Sequence, residues 1–270
     1  MAVEGFYAQY CEDLILSIVF QGIKQGHYVD VGAHDPDVDS VTKYFYLNGW
    51  RGINIEPVLR HYQKLLEVRP NDINLNIAIA DSSGEALFSI LYPKGSKTAD
   101  GLSTFHPAAL PSVILDQFVI TPITVQTQRL DQVLSEHPLD AIHFLKIDVE
   151  GAERAVLESI DLARFRPWVM VIEATEPMTN IRSDHKWNNI LIEAGYVFKL
   201  FDGLNVYYVA HEHDIALNDL FQEAYARIVH LNRECRLLPG EPVFSFETVN
   251  YVECNLWMIL LFSLVFNEKL

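Results

Sequence analysis

Short apolar runs alternate with helical patterns along most of the chain. The runs "YVDV", "RGINIEP", "INLNIAIAD", "HFLKIDVE" and "WVMVIEA" each reach a carboxylate or a turn residue at their end. Between several of them fall "PVLRHYQKLLEV" and "GAERAVLESIDL", whose apolar positions recur with a helical period. Strands separated by helices predict an α/β domain with a doubly wound, mostly parallel sheet. Near its end a further helix, "HKWNNILIEAG", precedes "YVFKLFDGLNVYYVA", two β-rich runs joined around Asp202-Gly203. That pattern predicts a hairpin, which makes the last strand antiparallel to its neighbour.

Three stretches flank or interrupt this pattern. "CEDLILSIVFQG" carries Leu14, Ile15, Ile18 and Val19 on one helical stripe that closes at Gly22. Residues 1–26 therefore form a helical segment that either lids a ligand through Gln9 and Asp13 or packs with those polar residues exposed. Asp81 to Thr121 is punctuated by Gly, Pro and Ser and is long for a connection, which marks it as functional or mobile. Residues 27–210 form the main domain, and 211–270 an extension in which "DLFQEAYARIVHL" is helical.

Composition narrows the partners. Half the residues are hydrophobic, and 20 Lys+Arg stand against 36 Asp+Glu, a formal charge of −16. Such a chain repels phosphate backbones and anionic lipid headgroups, so nucleic acid is excluded as a first partner. Cys11, Cys235 and Cys254 have neither metal spacing nor a disulfide framework, which fits a reducing, cytoplasmic setting. The apolar run Leu256 to Phe266 has 11 residues, against the roughly 20 needed to span a bilayer. It suits a buried element or a contact with a partner or second copy, not a transmembrane segment.

The candidate chemistry begins in "YVDVGAHDPDVDS". Its single glycine, Gly32, lies where a nucleotide-binding turn belongs, but His34 and Asp37 occupy the second and third glycine positions of a dinucleotide motif. With Asp35, Asp37 and Asp39 added, a diphosphate is disfavoured. An adenosine with a cationic end suits Asp30, Gly32 and Ala33 better, and S-adenosylmethionine is such a molecule. Glu56, 24 positions beyond Gly32, either holds ribose hydroxyls or caps the helix that starts at Pro57. Ser40 opens the helix "SVTKYFYL" as its cap or holds the carboxylate end of the ligand. Ala80 and Asp81, ending the third strand, are expected beside the adenine.

These segments, with "RPNDINLNIAIAD", "FLKIDVEGAERAVLES" and "VMVIEA" following in order, resemble the FkbM family of class I S-adenosylmethionine-dependent methyltransferases. "YAQYCEDLIL" and the hairpin ending resemble the branch associated with glycan modification. The resemblance runs from Tyr7 to Ala210, roughly three-quarters of the chain. It implies a seven-stranded Rossmann-like sheet with an antiparallel last strand, and methyl transfer to a hydroxyl of a sugar, glycoconjugate or related natural product. Val206 stands where that branch leads one to expect a basic residue.

Methyl transfer needs an aligned acceptor oxygen and a proton acceptor. Asp148, Glu150 and Glu173 end strands on the ligand side of the sheet. Asp148 shares strand parity with Lys146 and is either its structural partner or the group that takes the proton. Asp148 and Glu173 could instead hold a divalent ion such as Mg, an arrangement ranked below direct action because no motif fixes a cation. Glu153 is read as an ordinary helix-start acid, and His185 as a candidate that overhangs the crevice. The competing functions are a non-catalytic carbohydrate-binding or scaffold protein with the same fold and, third, a nicotinamide-dependent oxidoreductase.

Overall fold

The structure, a computed structural model, describes residues 5–96, 102–110, 112–177 and 179–235. Seven strands form the main sheet: β1 (His27–Val31), β2 (Arg51–Ile55), β3 (Ile73–Leu75), β7 (Phe144–Ile147), β8 (Val169–Glu173), β9 (Tyr196–Phe201) and β10 (Asn205–Ala210). Their order is β3-β2-β1-β7-β8-β10-β9. All pairings are parallel except those of β10, which runs antiparallel to β8 and β9. The expected topology is therefore present, including the hairpin. Its turn is set by Asp202, whose Oδ1 accepts the amides of Leu204 and Asn205, with Gly203 at φ +114°.

The sheet has a core on each face, because its central strands are buried on both sides and largely apolar. One face buries Val29, Val31, Ile53, Leu145 and Ile172 under α5 (Leu130–Glu136), α6 (Glu153–Glu158) and α7 (Asn188–Glu193). The other buries Tyr28, Phe144 and Tyr207 under α1 (Glu12–Val19), α2 (Lys43–Leu47) and α8 (His211–Cys235). Val206 is fully buried in β10, so a basic side chain has no place there. α3 (Leu59–Val68) follows β2.

α1 packs as its stripe predicts, but its polar residues are not on the surface. Asp13 is 0% exposed and accepts the amides of Tyr7, Ala8 and Leu14. It cannot reach a ligand; Gln9, which is exposed, lines the crevice. Glu12 is also buried, joined to the hairpin by the Asn205 side-chain amide at 2.8 Å.

The run "INLNIAIAD" is two strands rather than one. After Leu75 the chain leaves the main sheet, and β4 (Ala78–Ile79) pairs with β6 (Phe118–Gln128) in a second sheet. β5 (Gly84–Pro93) completes that sheet in the order β4-β6-β5. Asp81 to Thr121 is thus no plain loop: it holds β5, a short 3-10 turn, α4 (Ser112–Leu115) and the start of β6. Phe88, Ile90 and Val125 give this arm its own small core. Among the described residues no helix is long and apolar enough to cross a membrane. The run Leu256 to Phe266 lies outside the described residues.

Candidate active site

A cavity of about 440 Å³ opens at the carboxyl ends of β1, β2, β7 and β8, where open α/β sheets bind ligands. Asp30, Gly32, Ala33, Ser40, Glu56, Pro57, Asp148, Glu150 and Glu173 all line it. Three of the four non-glycine residues with positive φ among those described, His34, Asp39 and Glu150, line it as well. Backbone strain of this kind concentrates at binding sites.

Gly32 has φ +82°, and a Cβ on it would stand 1.8 Å from the Asp148 carbonyl oxygen. The glycine therefore lets the β1 and β7 ends touch. Beside it Lys146 gathers three oxygens: its Nζ donates to Gly32 O at 2.9 Å and lies 3.3 Å from both Asp30 and Asp148. Burial disfavours the ammonium, but the two carboxylates reverse this and hold the Lys146 pKa above its usual value.

Asp30 also accepts the Thr42 hydroxyl at 3.0 Å. Arg69, fully enclosed, donates to Thr42 and Ser40 and to the Pro36 carbonyl. Ser40 does not cap a helix, since α2 starts three residues later at Lys43; its oxygen takes the Arg69 guanidinium. The acidic loop is largely neutralised at home. Lys64 lies 2.7 Å from Asp35 and 3.2 Å from Asp37, and Lys43 lies 2.9 Å from Asp37. Of those three acids only Asp39 faces the cavity.

Glu56 is 4% exposed, and its two oxygens accept the amides of His34 and Val58 at 2.8 and 2.7 Å. α3 begins at Leu59, so Glu56 orients the loops around it more than it caps the helix. Burial pushes its pKa up to about 7, against the pull of those two amides. Each oxygen keeps a lone pair for a ligand.

At the β7 and β8 ends, one oxygen each from Asp148, Glu150 and Glu173 lies within 4.8 Å of the others. Burial, then the charges of Glu150 and Asp148, hold the Glu173 carboxyl well above the usual range. Glu173 Oε2 has no hydrogen-bond partner. Glu153 is buried rather than a surface helix-start acid; it accepts the Gly151 amide at 3.0 Å and is raised to about 7 by burial.

Three expected residues are not brought to the site. Ala80 ties to Gln128 in the second sheet, and Asp81 is exposed with its carbonyl held by Arg129. Ala78 and Ile79 line the cavity in their place. His185 is exposed in a 3-10 turn and does not line it. The sequence reading also missed the arm, which adds Phe88, Leu102, Ser103 and Phe105 to the wall. Thr104 fastens it by donating to the Glu150 carbonyl at 2.8 Å. No local motif announces that contact, which spans 46 positions.

Residues 30–198 match the methyltransferase FkbM domain. The chain belongs to this methyltransferase family. It is similar in fold to a methyltransferase FkbM from Methylobacillus flagellatus, with 15% identity and a TM-score of 0.42 over 71% of this chain and 47% of that one. The chain thus spans less than half of that relative. It is also similar to an O-methyltransferase from Bacillus cereus crystallised with SAH, with 11% identity and a TM-score of 0.37 over 77% and 84% of the two chains. Among curated proteins none matches. The family match, not these distant likenesses, establishes the class.

Proposed function

We propose that this methyltransferase uses S-adenosylmethionine and methylates a hydroxyl of a sugar, glycoconjugate or related natural product. The carrying observation is the division of one cavity into two acidic ends: Glu56, aimed by two amides at the β2 end, and the Asp148–Glu173 pair at the β7 and β8 ends. The cavity fits the cofactor's chemistry. Lys146 is the only lysine or arginine among its described lining residues, and it is already committed to Asp30, Asp148 and Gly32. A cationic ligand suits these walls and a diphosphate does not.

The bound cofactor supplies an electrophilic methyl group on a positively charged sulfur. Glu56 receives the ribose hydroxyls, and Asp30, held by Thr42 and Lys146, fixes the edge of the β1 loop. Asp148 would take the acceptor proton as the methyl group passes from the cofactor's sulfonium to the acceptor oxygen, the sulfur keeping the bonding pair as a neutral thioether. Glu173, whose carboxyl burial holds well above the usual range, stands beside Asp148 at the same end of the cavity. Glu150 completes the acidic wall.

The three carboxylates are also hard oxygen donors of the kind that hold Mg. Lys146 and the proton on Glu173 already compensate them, which favours direct carboxylate action over a metal. The sugar or glycoconjugate acceptor rests on the resemblance of the N-terminal and hairpin segments. Residues 5–26 then serve as a packing segment whose Gln9 reaches the crevice, and α8 as a helical cover over the same face as α1. Transfer of labelled methyl from S-adenosylmethionine to a glycan extract tests the proposal. A label that survives alkali identifies an ether; an alkali-labile ester label would contradict hydroxyl methylation.

A further inference from the structure

The acceptor end of the cavity holds a polar atom that nothing in the chain satisfies. Glu173 is 6% exposed, lines the cavity, and its Oε2 has no hydrogen-bond partner. A buried polar atom left in this state costs about 1–3 kcal/mol, so a bound molecule that satisfies it gains accordingly. As an acceptor, this oxygen requires a donor. A hydroxyl supplies one; a phosphate or carboxylate at neutral pH does not.

Charge points the same way. Glu12, Asp30, Asp39, Glu56, Asp148, Glu150 and Glu173 line the cavity with one lysine, Lys146, among the described residues; even with burial favouring the neutral forms of Glu12, Glu56 and Glu173, the other four acids outnumber it. Lys146 is held by Asp30 and Asp148 at 3.3 Å and cannot turn to a new anion without leaving them. Neighbouring hydroxyls on a polyol stand about 2.8 Å apart, a hydrogen-bonding separation. The oxygens of Asp148 and Glu173 lie within 4.8 Å of each other, close enough for two such hydroxyls to meet one each.

Building on the function proposed above, we infer that the acceptor is an uncharged polyol. It sets one hydroxyl on Asp148 and its neighbour on Glu173 Oε2, and acceptors with a carboxylate or phosphate beside the reacting hydroxyl are rejected. The selectivity is a negative one, carried by repulsion as much as by the new hydrogen bond.

The test is a two-stage calorimetric titration of the full chain. S-adenosylhomocysteine is added to saturation first. The methyl glycosides of glucose, galactose and mannose are then compared with methyl glucuronide and methyl galacturonide. The inference expects at least one neutral glycoside to bind ten or more times tighter than its uronate counterpart, and expects Glu173→Gln to reduce that ratio. A uronate that binds as well as its neutral counterpart, or no neutral glycoside binding to the saturated protein, overturns it. Failure at the first stage, with no binding of S-adenosylhomocysteine, would count against the proposed function instead.

Discussion

Lys146 stands midway between Asp30 and Asp148, 3.3 Å from each, and joins the cofactor end of the cavity to the acceptor end. This placement separates two roles for Asp148. Were it the lysine's sole partner, its loss would strand a buried ammonium. Asp30 and the Gly32 carbonyl remain, so the fold does not depend on Asp148. Asp148→Asn is expected to lower transfer by about 100-fold or more while leaving cofactor affinity and the melting temperature close to wild type. Single-turnover rate and thermal denaturation on one preparation check this; a destabilised protein with near-normal chemistry would make Asp148 structural.

Glu56 is the corresponding test at the other end. Glu56→Ala would remove two ribose hydrogen bonds to a charged acceptor, about 1.5–3 kcal/mol each before relaxation, but would also strand the His34 and Val58 amides. Glu56→Gln keeps one acceptor oxygen but turns its NH2 toward one of those two amides, so its thermal denaturation is measured beside its binding. Its affinity for S-adenosylmethionine should fall at least tenfold; unchanged affinity would remove Glu56 from the ribose.

Metal dependence has a direct outcome. With Lys146 already set against Asp148 and burial raising the Glu173 carboxyl, exhaustive chelation should leave transfer intact. Loss of activity restored by magnesium or manganese would assign the three carboxylates to a cation.

Stability should fall as pH rises from about 6.5 to 8. Glu56 and Glu153 are pushed up to about 7 and Glu12 to about 8, each chiefly by burial. The folded chain therefore binds more protons than the unfolded one in this window, and ∂ΔG/∂pH is negative. The stability these protonated carboxyls give is fully present below their unfolded values and is lost as pH passes through the folded ones. His61 and His143, lowered to about 4 by burial, act oppositely, but their contribution is lost as pH falls below about 6.5, outside this window. Calorimetric melting of the ligand-free protein at pH 6.5, 7.2 and 8 should give a declining series; a rising one contradicts the assignment.

Four strands of the main sheet were legible because each ends in a residue with a local physical signature, Asp30-Val31-Gly32, Glu56-Pro57, Asp148 and Glu173, and the last two from the Asp202-Gly203 turn. Binary pattern and turn chemistry are short-range properties, and these strands obey both. The arm was not legible. β5 ("ALFSILY") and β6 ("FVITPITV") do carry apolar runs, but the Gly, Pro and Ser punctuation within and between them reads as one connection. The break after Leu75 depends on β4 finding β6, a pairing of Ala78 with Thr127. At the site, Glu56 and the strand-end acids were readable from spacing. The loop acids misled in part, because Lys43 and Lys64 reach Asp35 and Asp37 only in the folded chain. Arg69 belongs to the same category: its anchoring of Thr42 and Ser40 joins residues 27 and 29 positions apart.

Titration of the purified chain with S-adenosylhomocysteine, NAD and ATP, followed by calorimetry, tests the central claim most directly. The acidic cavity, with Lys146 the only lysine or arginine among its described lining residues, predicts one-site binding of S-adenosylhomocysteine, weakened at least tenfold in Glu56→Gln, and no measurable heat from either phosphate-bearing nucleotide. Tight binding of NAD or ATP with none of S-adenosylhomocysteine would contradict it.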